Sequence, residues 1–173
     1  NNLAFIPTSF VDRLKQVEKL DLSHNQLIDL PEMINFHRLE LFDLSHNNLT
    51  TLQNLHTMPH LRYFSASHND LKNLPLFLWG CVNLCALDLS WNQLAHITQL
   101  PPLDMLWDLD LSGNRLENLP NLRNLRTLRR LNVSFNRLRT LKGIETLSDL
   151  DFLNASCNQL EGFVMFPRKA QLE

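Results

Sequence analysis

Two sets of residues in this sequence recur at spacings that could do chemistry. The string Asp-Leu-Ser-His stands at Asp21 to His24 and again at Asp43 to His46, and it holds the three residue types of a hydrolase triad. Period-two alternation puts Asp21 and Ser23 on one face of a strand. No strained elbow or set of oxyanion donors is implied, however, and the string recurs only because a longer pattern recurs, so the chain is read as no enzyme. His24, His46 and His68 form the second set, at matching places in that pattern. Imidazoles on adjacent strands could share an ion or respond to pH. Further ligands of suitable type are not evident, so no metal and no cofactor is assigned.

The pattern that places these residues is an 11-residue unit repeated seven times: VEKLDLSHNQL from Val17, LELFDLSHNNL from Leu39, LRYFSASHNDL from Leu61, LCALDLSWNQL from Leu84, LWDLDLSGNRL from Leu106, LRRLNVSFNRL from Leu128 and LDFLNASCNQL from Leu150. Its asparagine falls at Asn25, Asn47, Asn69, Asn92, Asn114, Asn136 and Asn158, in steps of 22 residues with one step of 23. Asn1 and Leu3 make a partial eighth unit. Self-similarity at this period is the mark of a solenoid.

Each unit begins L-x-x-L-x-L, which alternates apolar and variable residues as a half-buried strand does. Stacked copies must then form a parallel sheet with leucines inward. The asparagine turns inward, and its amide is expected to serve backbone groups of the turn and of the next coil, so seven of them make a ladder. The serine two residues earlier, Ser23 through Ser156, reads as turn chemistry. Between strands the apolar residues recur every third position, as in Leu49, Leu52, Leu55, Met58, Leu61 and Phe64, which suits 3₁₀ turns or extended segments. Two units contain a four-residue step instead, the opening one (Ile6, Phe10, Leu14) and the 23-residue one (Leu74, Leu78), and there a short helical turn is expected.

On these motifs the chain resembles leucine-rich repeat proteins, over roughly residues 1 to 163, and the 22-residue spacing is similar to that of the SDS22-like subclass. The resemblance implies an α/β fold: a right-handed solenoid with a concave parallel β-sheet and a mainly 3₁₀ or extended convex side. It also implies a module that holds a protein partner, most often within an intracellular regulatory or targeting protein. No cysteine-rich N-terminal cap or standard C-terminal cap motif is present. Residues 1–162 are assigned to the solenoid and 163–173 to a tail, whose run Phe163, Val164, Met165, Phe166 is expected to fold over the last coil as a makeshift cap.

Of 173 residues, 39 are Leu and 19 Asn, and the formal net charge is −2. No apolar run approaches the ~18 residues of a membrane helix, and the near-neutral charge does not point to nucleic acid. Three cysteines form neither a disulfide framework nor a metal quartet. Four glycines supply no phosphate loop. Charge is uneven: Arg115, Arg123, Arg126, Arg129, Arg130, Arg137, Arg139 and Lys142 face one acid, Glu117, in a segment read chiefly as a solvated face. The variable site Asp21, Asp43, Ser65, Asp88, Asp110, Asn132, Asn154 is read as repeat wording. Strands ~4.8 Å apart should still make Asp21 with Asp43, and Asp88 with Asp110, raise each other's pKa.

The aromatic residues carry the functional reading. Register puts Tyr63, Trp107 and Phe152 on or beside the exposed strand face, and Trp91 and Phe135 at its C-terminal edge, where they either stand free or fold down over the loops. Exposed aromatics beside Arg are the composition of binding hot spots. Trp107, with Asp108, Asp110, Arg129 and Arg130 around it, is the expected anchor for a helix or extended peptide of a protein partner. The chain is thus read as a non-catalytic interaction module of a larger cytoplasmic protein, with oligomers formed only through uncapped ends. Two other readings stay open: a fragment of an extracellular receptor ectodomain, which the sequons at Asn48, Asn132 and Asn154 favour, and the targeting arm of an enzyme whose catalytic domain lies elsewhere.

Overall fold

The computed structural model describes residues 1–161, so the expected boundary at 162 and the capping tail fall outside the described residues. A short helix, α1 (Thr8–Leu14), precedes seven three-residue strands: β1 (Lys19–Asp21), β2 (Leu41–Asp43), β3 (Tyr63–Ser65), β4 (Ala86–Asp88), β5 (Asp108–Asp110), β6 (Arg130–Asn132) and β7 (Phe152–Asn154). They make one parallel sheet in chain order, β1 to β7. Each strand pairs with the next in the same repeat register, as Leu109 with Leu131 and Asp110 with Asn132. One coil after another therefore brings the same repeat position to the same place, and the array is a solenoid of stacked coils.

Repetition also builds the core. The central residue of each of the first six strands, from Leu20 and Phe42 to Leu109 and Leu131, points inward and is buried, as are the flanking leucines Leu39, Leu61, Leu84, Leu106 and Leu128, while Leu153 of β7 is only partly buried. Burying each such side chain contributes roughly 1.5–3 kcal/mol, and no coil can do so alone. The return segments are mostly irregular, with parallel bridges between Met33 and Leu55 and between Gln99 and Asn121. Helical turns occur at both places where a four-residue step interrupts the period of three: α1 in the opening unit, and a 3₁₀ helix at Leu76–Gly80 in the 23-residue unit. The latter sends Phe77 edge-on against Phe64, with ring centroids 5.1 Å apart. A second 3₁₀ helix, Ile144–Thr146, follows Gly143 at φ 105°, a conformation that favours glycine.

The asparagine ladder has a direction that differs from the sequence expectation. Asn114 Oδ1 accepts from the Leu94 N–H at 2.9 Å, and its Nδ2 donates to the carbonyls of Leu89, Leu111 and Ser112. Two of those partners lie in its own turn and two in the preceding coil, not in the next one. Asn47, Asn69, Asn92 and Asn136 repeat the arrangement in buried positions. Asn25 reaches back to the Leu3 N–H, and Asn158 to Leu138 and Val133, with both side chains only partly buried. The reason is geometric: the turn carrying the asparagine closes against the loop that the previous coil has already formed.

Candidate functional site

Two variable columns run along the exposed face of the sheet. The first is Lys19, Leu41, Tyr63, Ala86, Asp108, Arg130, Phe152 and the second Asp21, Asp43, Ser65, Asp88, Asp110, Asn132, Asn154. The second column has a structural task. Each side chain accepts the N–H of the serine two residues on, at 2.8 Å from Ser45 to Asp43 and 2.8 Å from Ser112 to Asp110. This is the side-chain turn that ends a strand. The expected mutual raising of Asp21 and Asp43 does not hold for Asp21. The hydroxyl and backbone N–H of Ser23 hold its carboxyl below the ordinary value, because hydrogen bonds to the charged form outweigh the desolvation that opposes them.

Between β3 and β7 the face sinks into a depression of about 280 Å³ whose lining includes Tyr63, Asp88, Asp108, Asp110, Arg130, Asn132 and Phe152. The Arg130 guanidinium lies 4.5 Å from the centre of the Phe152 ring and 3.6 Å from Asp108 Oδ2. Both contacts favour this orientation of a side chain that stays half-exposed. Burial raises the pKa of Asp108, and Asp110 and Asp88 push it the same way against the opposing Arg130. Tyr63 is likewise raised, first by burial and then by Asp43. The depression is short of positive charge, with Arg130 against Asp88, Asp108 and Asp110, net −2, and the two columns as a whole add Lys19, Asp21 and Asp43, net −3.

Trp107 and Arg129 are placed apart from this depression. Each stands just before its strand, where the Trp107 carbonyl accepts from the N–H groups of Arg129 and Arg130. Together with Met105, Thr127, Arg130 and Asp151 they line a neighbouring hollow of about 550 Å³. Trp107 is 44% exposed. Of the residues expected to form one concave cluster, the structure brings together Tyr63, Asp108, Asp110, Arg130 and Phe152, and it sets Trp107 and Arg129 on the rim, with Arg130 shared.

At the C-terminal edge of the sheet the histidines stack as their matching positions imply, and the column runs on into two further rings. The rings of His24, His46 and His68 are stacked at 4.1 Å between neighbouring centroids, with planes 12° and 11° apart. Trp91 continues the column 5.7 Å from His68, and Phe135 stands 5.6 Å beyond Trp91. All five occupy left-handed backbone at φ 52–53°. Burial lowers the pKa of His46, and His68 and His24 add to the effect, while Asp43 and Asp88 oppose it. The signal in the sequence was the identical register of five rings, which strand stacking turns into contact. Neither Trp91 nor Phe135 is buried against the loops. Among the described residues no three His, Cys, Asp or Glu side chains converge as metal ligands.

Arg115, Arg123, Arg126, Arg137, Arg139 and Lys142 are all exposed, outside the strands. Two of the sequon amides are engaged: Asn132 Nδ2 donates to Asp110 Oδ2 at 2.9 Å, and Asn154 Oδ1 accepts from Ser156.

Comparison with known proteins agrees with this geometry. Family models described as Leucine Rich Repeat match residues 16–36 and 124–148. A leucine-rich repeat protein of Leptospira interrogans is 27% identical, covering 100% of this chain and 52% of its own, with a TM-score of 0.69. TLR13, solved in complex with ssRNA13, is 27% identical over 93% of this chain and 24% of its own, at a TM-score of 0.77. The plant peptide hormone receptor RGFR1, solved with RGF2, is 27% identical over 98% of this chain and 33% of its own, at 0.69. The chain thus spans about half the length of the first and a third or less of the others. No curated protein matches it. Two matched segments, seven copies of one register and likeness to solved leucine-rich repeat structures together support the leucine-rich repeat family for this chain.

Proposed function

We propose that the chain is a non-catalytic protein-binding module whose concave sheet receives a helix or extended segment of a partner protein. The observation that carries this reading is the depression between Tyr63 and Phe152, where apolar rings, an oriented Arg130 and uncompensated carboxylates line a face that no element among the described residues covers. Apolar side chains of the partner can rest on the ring at either end of the depression, and a cationic group between them meets Asp88 and Asp110. The 22-residue spacing and triplet leucines support the SDS22-like subclass and, with it, a place in a larger cytoplasmic regulatory or targeting protein.

A second reading, a receptor ectodomain fragment, is favoured by the likeness to RGFR1 bound to RGF2 and by the exposed sequon at Asn48. It keeps the same binding face and changes the compartment. The test is partner capture from a matched extract with Arg130→Ala plus Phe152→Ala, using Arg123→Ala plus Arg126→Ala as the control. Capture lost with the first pair and kept with the second supports the concave face. The reverse result places binding elsewhere.

A further inference from the structure

The position after each strand-ending serine is held in left-handed backbone, which glycine adopts freely and bulky side chains adopt only at a cost. Five of its seven occupants are nevertheless rings. Gly113 takes the position once, and there the Trp91 indole occupies the space a side chain would fill: a methyl group on Gly113 would lie 2.5 Å from Trp91 Cδ2. Trp91 thereby reaches across one repeat to Phe135, and the column stays continuous where a ring is missing. The leucine core does not use these two rings, which are 47% and 51% exposed. An exposed aromatic pair of this kind is the composition of an interaction surface.

The flank of the ridge is basic. Arg115 and Arg137 follow Gly113 and Phe135 by two residues, on coils whose backbone is fixed by bonds from their own N–H groups to the carbonyls of Leu94 and Leu116, at 2.8 and 2.9 Å. Both are exposed. Ion pairs among the described residues use Lys15, His56 and Arg130 instead. The acids nearest Arg115 in sequence are Glu117 and Asp110, the latter engaged by Ser112 and Asn132; Asp70, at the equivalent position two coils earlier, is held by Gln93 at 2.6 Å.

We propose that the Trp91–Phe135 ridge with Arg115 and Arg137 is a second docking surface, distinct from the concave depression, and that it binds an acidic peptide segment of a partner protein carrying an aromatic or long apolar side chain. The rings offer a stacking face, and the two arginines supply complementary charge over a short span. A nucleic-acid strand shares the stacking chemistry, but its charge repeats along its whole length. Extended past two arginines, it meets a protein whose concave columns are net negative.

The experiment uses the whole chain, labelled with ¹⁵N, and follows the indole N–H resonance of Trp91, assigned by its loss in Trp91→Phe. The probes are a hexapeptide of one tryptophan between two glutamates, completed with serines, the same peptide with lysines for glutamates, and an oligouridine of equal length. The acidic peptide is expected to give a saturable shift with Kd of about 1 mM or tighter. Arg115→Gln with Arg137→Gln should weaken it at least about fivefold. Arg130→Ala with Phe152→Ala should leave it unchanged, so failure here and failure of the concave reading are separate results. The proposal is overturned by no saturable shift, by an equal response to the lysine peptide, by insensitivity to the arginine pair, or by tighter binding of oligouridine.

Discussion

The Trp91 indole lies directly over Gly113, with its Cδ2 atom 2.5 Å from where a β-carbon would stand on that glycine. Two repeats are thereby tied at one point, and the tie is specific to the absence of a side chain. Gly113→Ala should destabilise the chain by about 1–2 kcal/mol, from left-handed strain at φ 64° together with displacement of the indole. Urea denaturation checks the value. The two causes separate in a Trp91→Ala background, where the penalty should fall to the strain alone.

Asn114→Leu should cost several kcal/mol, about 3–5, because it strands the buried Leu94 N–H, takes one of two donors from each of the Leu89, Leu111 and Ser112 carbonyls, and forces bulk into a closed turn. Asn158→Leu should cost less. Its amide makes bonds of the same kind, but the side chain and one of its partners are open to water. Thermal melts that rank the two the other way would contradict the ladder's energetics.

The histidine column makes a pH prediction with a definite sign. His46 has its pKa lowered in the folded chain, so the unfolded state binds its proton first. Its contribution to stability is therefore complete above the ordinary value of 6.5 and is lost as pH falls below it. NMR titration should find His46 protonating at lower pH than an unstructured histidine, and His46→Asn should flatten the loss of stability between about pH 7 and 5. A His46 midpoint at or above 6.5 would contradict the stack as the source.

On the concave side, Trp107→Ala with Arg130→Ala should cost at least ~2 kcal/mol of partner affinity, roughly thirtyfold. Arg130 faces both the depression and the hollow that holds Trp107. Single substitutions should separate them: Phe152→Ala removes the stacking surface of Arg130, whereas Trp107→Ala leaves the depression intact. Calorimetric titration with a captured partner measures the difference.

The strands, their register and both helical interruptions were legible because each follows from apolar spacing, and seven copies of one spacing leave little room for another arrangement. The inward asparagines were legible as well, but not the side on which they bond, since the residue pattern does not say whether a turn closes on the coil before it or after it. Tyr63, Asp108, Arg130 and Phe152 share a face by period-two logic. Trp107 was harder to place, because it stands one residue ahead of its strand, where alternation no longer fixes direction. The stacking of His24, His46 and His68 was legible from their shared register, whereas the continuation of the column through Trp91 to Phe135 across Gly113 was not, because it depends on left-handed backbone, which no apolar pattern encodes.

The backward reach of the asparagines gives the array a temporal order. The loop containing Leu27 has its buried N–H satisfied by Asn47, and the loop containing Leu94 by Asn114, each twenty residues downstream. A coil is therefore finished by its successor. On a ribosome, which releases the chain from the N-terminus, every coil emerges with an unmet donor and waits for the next turn to arrive, so ordering proceeds as a wave trailing synthesis by about one repeat. Peeling a coil from either side uncovers donors in the coil left behind, at about 1–3 kcal/mol each: from the C-terminal side the loop N–H that the lost asparagine served, as at Leu94, and from the N-terminal side the N–H groups that donate backward, as Arg115 does to Leu94.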